Sequence, residues 1–86
     1  MRADHPDVAS SLNNLATHYD KQSQHAKAEP LFERALVIWE KTLGSERPKV
    51  ETCLRNYAFL LRDMGRPAEA EPLENRAKAI RAKNAC

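Results

Sequence analysis

The sequence predicts an all-α protein: four helices in two helix-turn-helix repeats, stacked as a short right-handed α-solenoid. Three observations carry that prediction. The text of Ala26–Leu43, AKAEPLFERALVIWEKTL, returns forty-two residues later as AEAEPLENRAKAIRAKNA, and laying residues 5–44 on 47–86 gives 14 identities in 40 pairs. A fixed period of this size marks a repeat architecture, in which each unit buries its apolar side against its neighbours. Apolar residues recur at three-and-four spacing in four separate stretches. Finally, a chain rich in Ala, Leu, Glu, Lys and Arg, with only two Gly, favours helix throughout.

Met1 to Asp4 has little character and stands apart from the fold as an N-terminal extension. The first helix opens at His5-Pro6-Asp7, where a proline loses no hydrogen bond and an acid complements the helix dipole. Val8, Leu12, Leu15, Ala16 and Tyr19 form its buried face; Ser10, Asn13, Asn14, Thr17 and Asp20 form the opposite one. Polar Lys21–Gln24 ends it near Gln22, a weak stop with neither Gly nor Pro. The second helix runs from about His25 to Leu43, with Ala28, Leu31, Phe32, Ala35, Ile38, Trp39 and Leu43 inward. Pro30 sits in its opening turns, where a lost hydrogen bond is least costly. Gly44 stops it, and Ser45-Glu46-Arg47-Pro48 starts the next unit. The third helix, Pro48–Met64, buries Val50, Leu54, Tyr57, Ala58 and Leu61. Gly65-Arg66-Pro67 is short enough to force an antiparallel neighbour. The fourth helix, Pro67 to about Lys83, has only Ala70, Leu73, Ala77 and Ile80 as its apolar line.

That last helix differs from its twin in one direction. Phe32 becomes Glu74, Leu36 becomes Lys78 and Trp39 becomes Arg81. Each change replaces apolar surface with charge, as the polar outer face of a terminal repeat requires. Residues 5–46 are thus read as the first repeat, and 47–86 as the second, ending in a polar capping helix.

The charge balance narrows the function. Fourteen basic and twelve acidic residues are intermixed, for a net charge of +2, too even to point to nucleic acid or an anionic membrane. No apolar run nears the roughly 20 residues of a membrane span. Cys53 and Cys86, far apart in the sequence, form no disulfide scaffold, which favours a reducing compartment and hence the cytoplasm. No phosphate loop or nucleophile elbow is present, and His5, His18 and His25 have no metal-ligand spacing with the cysteines. The chain is therefore expected to be no enzyme and to need no cofactor or metal.

The residues HPDVASSLNNLA at His5–Ala16 and HAKAEPLFERALVIWEKTLG at His25–Gly44, echoed by RPKVETCLRNYA and PAEAEPLENRAKAI, resemble the tetratricopeptide repeat. The 42-residue period resembles its kinesin-light-chain-like subgroup. The family's small residues at helix crossings match Ala16, Ala28 and Ala35, then Ala58, Ala70 and Ala77. Glu74 departs from the pattern by standing where an aromatic is usual. The resemblance implies a protein-binding module in which the first helix of each repeat lines a concave groove for an extended peptide. The groove residues would be Ser10, Asn13, Asn14, Thr17 and Asp20, then Thr52, Arg55, Asn56, Phe59 and Arg62. Asn14 and Asn56, a full period apart, could hold a peptide backbone, since a carboxamide both donates and accepts. Arg55 and Arg62 could engage an acidic group, with Phe59 between them as an apolar anchor.

A second reading, from a different class, is a self-assembling piece whose main partner is itself. Phe32, Ile38 and Trp39 have weaker counterparts in the second repeat, so part of their surface is expected to stay exposed. A homo-oligomer would cover it, for instance by exchange of repeats through the Gly44–Arg47 connection.

Overall fold

The computed structural model describes residues 6–44 and 47–84. The extension at 1–4, His5, the Ser45-Glu46 junction with its role in repeat exchange, and Cys86 lie outside the described residues. Four helices account for nearly all the rest: α1 (Pro6–Lys21), α2 (His25–Leu43), α3 (Pro48–Asp63) and α4 (Pro67–Asn84). There is no strand among the described residues. α1 pairs with α2 and α3 with α4, and the two hairpins join chiefly through α2 against α3. The stack is flat, 34 × 34 × 17 Å.

The local chemistry explains the boundaries. Pro48 opens α3 at its first turn, where its fixed φ is already helical. α2 continues unbroken through Pro30, and α4 through Pro72. The two hairpin turns are built alike. Gln24 N–H donates to Tyr19 O (2.9 Å) and Ser23 N–H to Asp20 O (2.9 Å); Arg66 N–H donates to Leu61 O (2.8 Å) and Gly65 N–H to Arg62 O (3.0 Å). Both are Schellman closures, which require a left-handed residue at their centre. Gly65 supplies it at φ 76°, and forty-two residues earlier Ser23 supplies it at φ 61°. The first stop is therefore the same turn as the second, made with a strained serine in place of glycine.

One core runs through both repeats. Ala16, Ala28, Ala35, Ala58, Ala70 and Ala77 are all buried, and their small side chains let the paired helices approach. Between the repeats, the Tyr57 ring stacks on Phe32 with centroids 6.3 Å apart. Its hydroxyl donates to Glu33 at 2.6 Å, while Arg66 links Glu29 of α2 to Glu69 of α4.

Three expectations about packing are corrected. Phe32, Ile38 and Trp39 are 1%, 3% and 4% exposed, with Tyr57 and Lys49 of α3 lying against Phe32 and Trp39, so the three offer no surface for self-association. Leu15, expected inward, is 43% exposed. Ala9, Leu36, Cys53 and Leu60 join the core although the expected faces omitted them.

Candidate binding surface

The anticipated groove residues separate into two depressions and two ion-paired ends. The first depression, about 300 Å³, lies between α1, the end of α2 and the start of α3. Ser10, Asn13, Asn14, Thr52, Trp39, Pro48 and Lys49 line it. Two of its polar atoms are buried and have no hydrogen-bond partner among the described residues: Asn13 Oδ1, an acceptor, and Trp39 Nε1, a donor. The Lys49 ammonium lies 5.9 Å from the centre of the Trp39 ring, close enough for a cation–π attraction. Thr17 turns its hydroxyl to its own helix, donating to Asn13 O at 2.9 Å. Asn56 is half-buried on α3 and lines neither depression.

The second depression, about 390 Å³, is lined by Arg55, Phe59, Glu74, Ala77, Lys78 and Arg81. Phe59 is 64% exposed. Three of the lining side chains are cationic and one is acidic, so the surface is net basic. Arg55 Nε sits 2.9 Å from Glu51 Oε2, and Arg81 reaches the same oxygen at 3.8 Å.

Arg62 and Asp20 belong to neither. Arg62 grips Glu74 with two hydrogen bonds of 2.6 Å each. That pairing holds the Glu74 carboxyl below the usual carboxylate range and raises the Arg62 guanidinium further. Arg62 and Arg55 therefore do not act as a free pair; each has an acidic neighbour of its own. Asp20 lies 2.8 Å from His25 Nδ1, and Asp63 completes a group with ligand atoms within 4.8 Å of one another.

Sequence reasoning missed Trp39, Pro48 and Lys49 in the first depression and read Lys78 and Arg81 of the second as solvated charge. Trp39 belongs to the apolar stripe of α2, and the depression forms where α1 and the start of α3 both border it. The partial signal was periodic: Asn13 and Thr17 map onto Arg55 and Phe59, which shows that one helix face meets different surroundings in each repeat.

Comparison with known proteins agrees with this geometry. No curated protein matches the chain significantly. A family model described as Tetratricopeptide repeat matches residues 7–83, from the first turn of α1 to the last of α4. That span takes in both helical hairpins and the alanine crossings that bring them together, so the chain belongs to the tetratricopeptide-repeat family.

Proposed function

We propose that the chain is a protein-interaction module whose first depression binds the backbone of an extended peptide. Tetratricopeptide repeats are generally protein-interaction modules, and the 42-residue period supports placement among the kinesin-light-chain-like ones. The observation that carries the site is the orphaned pair, Asn13 Oδ1 and Trp39 Nε1. A buried donor or acceptor without a partner destabilises the fold by about 1–3 kcal/mol. A peptide unit offers the complement of both, an N–H for the asparagine and a carbonyl for the indole. Asn14, Ser10 and Thr52 add adaptable polar contacts around the pair. Lys49 at the rim favours an acidic residue next to the bound backbone, and the work is binding, not catalysis. The intermixed charge and sparse cysteines support a protein partner in the cytoplasm over nucleic acid or a membrane. No described helix is long and apolar enough to cross one.

Calorimetric titration with ten-residue extended peptides of acidic, neutral and basic composition tests the reading. Acidic peptides should bind best and weaken with salt. Trp39→Phe keeps the ring and drops the donor, so it should weaken every binding peptide about 3- to 10-fold. Asn13→Ala should act alike, whereas Arg62→Ala should have little effect. Equal affinity for wild type and Trp39→Phe would move the site elsewhere.

A further inference from the structure

The 42-residue register relates the two sides of the junction between repeats to two surfaces that face solvent. Within the chain, α3 seats on the first repeat through Val50, Cys53, Leu54 and Tyr57, all buried. Cys53 Sγ approaches Phe32 O at 3.6 Å, Tyr57 stacks on Phe32, and Lys49 lies over Trp39. Shifted back one period, those α3 positions become Asp7, Val8, Ser11, Leu12 and Leu15. These are the residues that line a shallow, mostly apolar depression on α1. Shifted forward one period, the seat made by Phe32, Ala35, Leu36 and Trp39 becomes Glu74, Ala77, Lys78 and Arg81. These line the basic depression on α3 and α4. One chain thus carries, on opposite ends, both halves of a contact it already makes once internally.

We infer that a second copy of this chain fills the basic depression, seating its α1 there as α3 seats on the first repeat. The substitutions across the period fit one another. Where Lys49 lies over Trp39, Asp7 of one copy meets Arg81 of the next, and a carboxylate faces a guanidinium. Where Cys53 approaches the Phe32 carbonyl, the Ser11 hydroxyl donates to the carbonyl of Glu74. Val8, Leu12 and Leu15 bring apolar surface to a seat whose Phe59 is 64% exposed. The stacked Phe32–Tyr57 pair has no equivalent, since Glu74 and Leu15 stand in those places. The contact between copies is accordingly weaker than the one within the chain, and it depends on charge. It joins two different surfaces, so it is heterologous and adds copies head to tail without closing into a symmetric dimer. This goes beyond the peptide site, which uses other residues.

Sedimentation velocity on the full 86-residue chain decides the matter. The weight-average mass should rise steadily from 9.8 kDa with concentration, and fall back as sodium chloride is added. Asp7→Arg and Arg81→Asp should each weaken association at least tenfold, by setting like charges together. An equimolar mixture of the two variants should recover it, because every contact between unlike variants again pairs Arg with Asp. That recovery also shows that both variants are folded. Leu15→Glu, which sets a second carboxylate against Glu74, should also weaken association, and its mixture with Asp7→Arg should show no recovery, since neither variant then offers an intact α1 face. A mass of 9.8 kDa at every concentration would overturn the inference. So would single variants that associate like wild type, or a mixture that stays monomeric.

Discussion

Cys53 is a residue whose chemistry the fold alters strongly. It is fully buried, and burial, with a smaller contribution from Glu40, pushes its thiol from 9.0 to about 12. The thiolate is the reactive form, so Cys53 should be inert to thiol reagents at pH 8 while the chain is folded. In a Cys86→Ser variant, labelling by a chromogenic disulfide should be at least 100-fold slower than in urea, and rapid labelling would place Cys53 at the surface. The same shift has a pH signature. Below pH 9 both states hold the proton; between about 9 and 12 only the unfolded state releases it, so stability falls as pH rises through that window. Cys53→Ala should show a shallower decline there in urea titrations. The sequence analysis used the residue only to judge redox compartment and metal spacing, because a lone cysteine looks the same to periodicity whether it packs or faces water.

At the level of elements, the starts of α1, α3 and α4 followed from proline at the first turn, and α2 was read with the bounds it has. The end of α1 was harder. Its stop depends on Ser23 adopting a left-handed conformation, which serine does not announce. The period did announce it, since Ser23 aligns with Gly65. Ser23→Gly should therefore stabilise the chain by about 0.5–1 kcal/mol, and Gly65→Ala should destabilise it by about 1 kcal/mol. A Cβ added at Gly65 meets nothing within 4 Å, so that loss would be conformational, not steric. Thermal melts of the pair would check both signs. Leu15 shows the opposite limit. Its spacing matches a buried face, and its periodic partner Tyr57 is buried, yet Leu15 is 43% exposed. Periodicity identifies a face built to pack, not what it packs against. The groove residues divided for the same reason: Asn13 lies at a repeat junction, whereas its counterpart Arg55 borders the open basic surface.

Across the whole molecule, the single core cluster couples the two hairpins, although contact runs mainly through α2 and α3. Arg66 reinforces that seam by reaching Glu29 at 2.9 Å, and Arg76 does so from α4 by reaching Glu40 at 2.6 Å. The fold class and the pairing of helices were legible because both repeat. The seam was less so, because it depends on how far Phe32 and Trp39 disappear beneath α3. Trp39 is the only tryptophan, and it stands at that seam with Lys49 across its ring. The protein consequently carries an intrinsic fluorophore at the joint between its halves. In urea, its red-shift should coincide with the loss of helical ellipticity if the hairpins unfold together. A colour change that came first, with ellipticity intact, would mean the two halves part like a hinge before either one melts.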